Sequence, residues 1–149
     1  MDDNESRLES GRSKIRILVV DDHPVVRGFI CRLLNAESQF EVIGEAVTGM
    51  EGVARAKESQ PDVVLLDVSL PDMGGLAVTP CIKKVAPSAE ILILSEHDGP
   101  IVHEAFRAGA LGYLLKSDST AELAIAVRTV KDGQRYLGAR FAQTLKQAV

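Results

Sequence analysis

From residue 15 onward, short apolar runs alternate with longer segments in which apolar residues recur at helical spacing. The runs cover residues 15–20, 40–44, 63–66, 91–94 and 111–115. Three of them are solidly apolar, as expected of parallel strands covered on both faces. Glu41 breaks the run at 40–44, which marks an edge strand. Between the runs, residues 24–35 place Val25, Val26, Phe29, Ile30, Leu33 and Leu34 on one helical face, behind a proline suited to a first turn. Thr48 with Glu51, and Ser119 with Glu122, have the spacing of capping boxes. A helix over 98–108 has Asp98 as cap and Pro100 in its first turn, and it stops at Gly109. The weakest helical segment is 74–84, where Pro80 predicts a kink or a delayed start.

Strands and helices alternating in this order predict an α/β domain with right-handed crossovers. The expected architecture is a doubly wound, five-stranded parallel sheet of order 2-1-3-4-5, followed by a short extra C-terminal helix. Residues 1–14 are polar and read as a mobile leader, and residues 15–133 as one domain. Residues 134–149 read as a linker or extra helix, the helix starting near Tyr136.

Composition narrows the possibilities. With 46% hydrophobic and 26% charged residues, the 149-residue chain has the balance of a folded, cytoplasmic domain. It holds no apolar run of bilayer length, and its polar start is no signal peptide. A net charge of -4 gives the whole molecule no electrostatic reason to bind nucleic acid. Cys31 and Cys81 have no metal-like spacing and read as buried, reduced thiols.

The chemistry lies at the strand ends. Strand one runs into Asp21 and Asp22, strand three into Asp67, strand four into Ser95, and strand five through Tyr113 into Lys116. In an open parallel sheet these ends line one edge, where ligands bind beside the reversal of strand order. Three carboxylates, a hydroxyl and an ammonium are thereby gathered in one cleft. Neighbouring carboxylates repel, and a hard divalent cation relieves them; Mg2+ takes one or two carboxylates and keeps positions for phosphate oxygens. A lysine and a hydroxyl suit a phosphoryl group, and an aspartate can itself be the nucleophile. Taken singly, each residue is an ordinary loop, cap or surface residue; their joint placement on four strands makes the site.

These residues also carry a resemblance. The segment Ile17-Leu18-Val19-Val20-Asp21-Asp22-His23-Pro24 resembles the acidic opening of response-regulator receiver domains. The segment from Val63 through Asp67 to Gly75 resembles their phosphoacceptor region. Ala108-Gly109-Ala110-Leu111-Gly112-Tyr113-Leu114-Leu115-Lys116 resembles their last strand and lysine. The resemblance spans about Ile15 to Gly133, and the His-Pro pair, the Gly-Tyr-Leu-Leu-Lys run and the stretch from Gly133 to Leu137 are most similar to the NarL/FixJ branch. It implies the flavodoxin-like, CheY-like fold. It also implies that Asp67 accepts a phosphoryl group from a histidine kinase or phosphotransfer protein. By the same resemblance, Asp22, Asp67 and the Ser69 backbone carbonyl bind Mg2+ directly, and Asp21 helps through water. Lys116 would pair with the phosphoryl oxygens, and Ser95 and Tyr113 would rearrange to switch the face formed by helix four, strand five and helix five. Such a switch needs roughly 5 kcal/mol of differential stabilisation, within reach of a few charge-assisted hydrogen bonds at about 1.5–3 kcal/mol each.

Some positions depart from the family pattern. Gly74-Gly75 stands where Asp-Gly is common, Ser117 replaces the proline that often follows the lysine, and Ser69 and Glu96 could tune water access. Of the histidines, His23 and His97 read as loop residues near the cleft mouth and His103 as a helix-surface residue, with no shared metal site. Three other readings compete. A pseudo-receiver is disfavoured by the complete set Asp21, Asp22, Asp67, Ser95 and Lys116. An aspartate-nucleophile phosphatase would carry an Asp-x-Asp motif after strand one and a cap domain. A flavodoxin-like nucleotide binder lacks support too, because no glycine-rich loop follows strand one. The expectation is therefore a signalling domain without turnover of a free substrate, with a possible homodimer on phosphorylation. DNA would be reached only through an output domain outside this chain.

Overall fold

The computed structural model describes residues 14–96 and 101–138. Six parallel strands form one sheet in the order β2-β1-β3-β4-β5-β6. The strands are β1 (Ile15–Val20), β2 (Phe40–Ala46), β3 (Val63–Asp67), β4 (Glu90–Ser95), β5 (Gly112–Leu115) and β6 (Tyr136–Leu137). The helices are α1 (Pro24–Asn35), α2 (Gly49–Ser59), α3 (Gly75–Val85), α4 (Ile101–Ala108) and α5 (Ser119–Lys131), with a 3-10 turn at Lys116–Asp118. The expected order of the first five strands holds, and β2 is an edge.

Alternating residues of the inner strands bury toward opposite faces. Leu18, Val20, Val64, Leu66, Ile91, Ile93 and Tyr113 pack with Ala56, Val78, Ile82, Val102 and Ala105 under α2, α3 and α4. Ile17, Val19, Val63, Leu65, Leu92, Leu94 and Leu114 pack with Ile30, Leu34, Leu123, Val127 and Val130 under α1 and α5. Two covered faces are why these strands carry unbroken apolar runs.

Several expectations need correction. The sheet has six strands, since Tyr136–Leu137 extends beside β5 where a helix was expected to begin. Gly133, at φ +80, turns the chain after α5, and the Tyr136 and Gly138 amides then donate to the Leu111 and Tyr113 carbonyls. Leu137 packs against the core at the same time, so pairing and burial together outweigh helix formation there. Residues 139–149 and the leader up to residue 13 lie outside the described residues.

Pro80 neither delays nor ends α3, which starts at Gly75 and carries the proline inside. Pro80 is on the exposed side, where the helix hydrogen bond it cannot donate is cheapest to lose. The Thr48 hydroxyl does cap α2, accepting from the Glu51 amide at 3.1 Å. Ser119 does not cap α5. It is already within the first turn, because the 3-10 turn leads straight into the helix, and the Glu122 carboxylate accepts the Tyr136 hydroxyl at 2.5 Å instead. The cysteines are free but not buried in the core: Cys81 is exposed and Cys31 partly so. The Cys31 thiol is pushed up to about 11, chiefly by burial and then by Glu45 beside it.

Candidate functional site

The strand register sets the site. Val20 pairs with Leu66, so Asp21 follows beside Asp67; Asp67 pairs with Leu94, and Ser95 with Leu115. Asp21, Asp67, Ser95 and Lys116 thus come level along one sheet edge. Asp21 and Asp67 are each only 1% exposed, and Ser95 and Tyr113 are wholly buried.

Lys116 Nζ lies 3.2 Å from Asp21 Oδ2 and 3.3 Å from Asp67 Oδ2, bridging the two carboxylates. Burial works against the charge of Lys116, but attraction from Asp21 and Asp67 outweighs it and holds its pKa above the usual lysine value. Burial pushes the Asp67 carboxyl up. The Ser69 amide opposes that by donating to Oδ1 at 3.0 Å, Asp21 repels it further upward, and Lys116 draws it down. Asp67 Oδ1 is therefore engaged by the backbone, while Oδ2 faces the lysine.

The donor set fits a divalent cation. Asp21 Oδ2, Asp22 Oδ1 and Asp67 Oδ2 are buried atoms that accept no well-directed hydrogen bond, although two of them are ion-paired with Lys116. Three carboxylates against one ammonium leave uncompensated negative charge, which is costly at low exposure. One ligand atom from each of Asp21, Asp22, His23 and Asp67 lies within 4.8 Å of the others.

His23 is an exposed loop residue at the mouth of the cleft, as expected, and it lies against the carboxylates. Its Nδ1 reaches 3.4 Å from Asp21 Oδ1, 3.2 Å from Asp22 Oδ1 and 3.8 Å from Asp67 Oδ2. Its position directly after Asp21-Asp22 was the available signal. His103 is a surface residue of α4, as expected; His97 lies outside the described residues. Ser69 is exposed at the cleft mouth, as is Glu96 beyond β4.

Other positioning residues had no sequence signal. Arg27 of α1 donates to the Asp21 carbonyl at 2.8 Å and to Glu45 at 3.0 Å, tying β1, α1 and β2 together. Asp72, in the loop after Asp67, accepts from the Gly49 amide at 2.7 Å and the Met50 amide at 3.0 Å, and so caps α2 from another loop. Those two amides, Met50 first, hold the Asp72 carboxyl below the usual range. A lowered carboxyl pKa stabilises the fold above about pH 4, the ordinary aspartate value, and that contribution is lost as the pH falls through the titration of Asp72. Asp72→Ala is expected to lower the melting temperature by a few degrees at pH 7. The deficit should shrink toward pH 3; a deficit that stays constant over that range would contradict an ionised cap.

Comparison with known proteins places this geometry. The model of the response regulator receiver domain family matches residues 17–128. The chain is 39% identical over 132 residues to the response regulator GacA of Pseudomonas viridiflava, covering 88% of this chain and 62% of that protein. It is 40% identical over 129 residues to the transcriptional regulatory protein LiaR of Bacillus subtilis (strain 168), covering 86% of this chain and 61% of that one. The chain therefore spans about three fifths of the length of these curated relatives. Among solved structures, it is similar to a LuxR-family two-component response regulator from Aurantimonas sp. SI85-9A1. That match has a TM-score of 0.87 and 36% identity, and covers 91% of this chain and 98% of the other. The signal receiver domain of the putative response regulator NarL from Mycobacterium tuberculosis matches with a TM-score of 0.78 and 36% identity, over 81% and 98% of the two chains.

Proposed function

The chain belongs to the response regulator receiver domain family, in its NarL/FixJ branch, and from this premise we propose that Asp67 is the phosphoacceptor of a two-component signalling pathway. The observation that carries the reading is Lys116 bridging Asp21 and Asp67 beside carboxylate oxygens that no hydrogen bond satisfies. Asp67 Oδ2 attacks the phosphorus of a phosphohistidine on a sensor kinase or phosphotransfer protein. The new O–P bond replaces the P–N bond, and the electron pair of that bond leaves with the imidazole. Asp21, Asp22, Asp67 and the Ser69 backbone carbonyl would hold Mg2+, which when bound neutralises charge on the carboxylate and the phosphoryl oxygens.

Lys116 leaves its carboxylate pairs to meet the phosphoryl oxygens, and the Ser95 hydroxyl donates to one of them. Tyr113 is already fully buried, so phosphorylation locks the inward arrangement rather than creating it. Contacts of the new phosphoryl group with Ser95 and Lys116 then bias the face formed by α4, β5 and α5. The protein turns over no released substrate; its chemistry is self-phosphotransfer and autodephosphorylation. Among the described residues no helix is long and apolar enough to cross a membrane, which accords with a cytoplasmic site of action. Dimerisation on phosphorylation and control of transcription through a DNA-binding output domain complete the proposal.

The test is intact mass after incubation with Mg2+ and acetyl phosphate. One acid-stable, base-labile phosphoryl group should appear, and a chelator added beforehand should prevent it. Folded protein that binds Mg2+ but gains no phosphoryl group would instead be a pseudo-receiver.

A further inference from the structure

We propose that His23 is a ligand of the divalent cation at this site, and that it biases the site toward ions accepting a nitrogen donor, such as Mn2+, over Mg2+. The inference rests on the reading of Asp21, Asp22 and Asp67 as metal-holding carboxylates.

Geometry carries it first. An ion with donors at about 2.1 Å places neighbouring octahedral donors about 3 Å apart and opposite ones about 4.2 Å apart. His23 Nδ1 lies 3.2, 3.4 and 3.8 Å from one oxygen each of Asp22, Asp21 and Asp67. One ligand atom from each of the four residues falls within 4.8 Å of the rest. The spacing is that of one coordination shell, needing only slight contraction.

The backbone holds His23 there from both sides. Its amide donates to Asp21 Oδ1 at 2.8 Å. It also precedes Pro24, which opens α1, and so takes the extended conformation that a following proline imposes, at φ -88 and ψ 109. The backbone is thereby fixed, and the half-exposed imidazole lies with its Nδ1 beside the carboxylates.

Chemistry gives the selectivity. Mg2+ prefers an all-oxygen shell; Mn2+ is also at home among oxygen donors, but it stands at the start of the series along which affinity for nitrogen-containing sites rises, and so tolerates an imidazole better than Mg2+ does.

The competing role is that of a counter-ion: a protonated His23 would neutralise the carboxylates and be expelled when a cation binds. The two roles predict opposite signs. Removing a ligand weakens Mn2+ binding, while removing a competing counter-ion strengthens it.

The experiment follows free Mn2+ by electron paramagnetic resonance during titration of the whole chain, for wild type, His23→Gln and Asp22→Asn, with Mg2+ as competitor. Electron spin-echo modulation of the bound ion reads directly coordinated nitrogen. Wild type should show nitrogen coupling that His23→Gln lacks. Mn2+ affinity should fall about tenfold or more in His23→Gln, by analogy with losses around other metal sites, while Mg2+ affinity stays within about twofold. Mn2+ binding that is unchanged or tighter in His23→Gln, or wild-type Mn2+ without nitrogen coupling, overturns the assignment of His23. In that event Mn2+ binding lost in Asp22→Asn would leave the metal-dependent reading of the carboxylates standing. If wild type binds neither ion, both readings fall together.

Discussion

An Asp67→Asn protein is expected to take up no phosphoryl group from acetyl phosphate and Mg2+ under conditions in which the wild type takes up one. Asparagine keeps the shape of the side chain and can still accept the Ser69 amide that donates to Oδ1. What it loses is the anionic oxygen beside Lys116, and an amide nitrogen is no substitute nucleophile. The same substitution has a predictable sign in stability. Burial raises the Asp67 pKa, so the folded state favours the protonated acid. The contribution of Asp67 is present below about pH 4, the ordinary aspartate value, and turns into a cost as the pH rises through its folded pKa. At pH 7 without divalent cations, Asp67→Asn should therefore melt at a higher temperature than wild type. It should also gain less from added Mg2+, having lost a ligand. Its inactivity would then come from a better-folded protein, separating chemistry from unfolding. Any phosphoryl gain by Asp67→Asn would move the acceptor to another residue.

Gly75→Ala is expected to destabilise the fold by about 2–3 kcal/mol or more and to slow phosphorylation with it. A Cβ at Gly75 would sit 2.5 Å from the Asp67 carbonyl oxygen and 2.8 Å from Val68 Cα. Both are backbone atoms, so no rotamer change relieves the clash. The Gly75 amide also donates to the Val68 carbonyl at 3.0 Å, which pins the start of α3 against the end of β3. Moving it shifts the peptide carrying Asp67 and the loop carrying Ser69. Helix propensity argues the other way, since alanine generally improves on glycine by roughly 0.5–1 kcal/mol within a helix. Gly28→Ala isolates that ordinary effect: Gly28 is within α1, and nothing lies within 4 Å of its added Cβ. It should stabilise by roughly 0.5–1 kcal/mol. Denaturant midpoints of the two variants should move in opposite directions. A neutral Gly75→Ala would mean that the loop after Asp67 yields freely, and that glycine there is not a steric requirement.

The elements that were legible in advance share a cause. Residues 63–66 and 91–94 are apolar at every position because β3 and β4 are covered on both faces, and that information is carried one residue at a time. Asp21, Asp67, Ser95 and Lys116 were legible for a related reason. Each directly follows or ends such a run, and a parallel sheet puts all run ends on one edge. Thr48 as a helix cap was equally local. Failures came where two distant segments compete. Ser119 and Glu122 have capping-box spacing, but a 3-10 turn enters the helix before Ser119, and Tyr136, brought in by strand pairing, takes Glu122. Residues 136 and 137 have no pattern of their own, and only the free edge of β5 makes them a strand.

The sequence by itself thus determined the strand-helix alternation, the first five strands in order, and the residues at the carboxyl edge, because burial and caps act over a few residues. Tertiary structure alone decided how Lys116 divides itself between Asp21 and Asp67, that Asp72 caps α2 from another loop, that glycine is required at 75, and that His23 turns toward the carboxylates. These depend on distances of about 3 Å between segments far apart in the chain, and in electrostatics and steric contact a shift of one ångström changes the outcome.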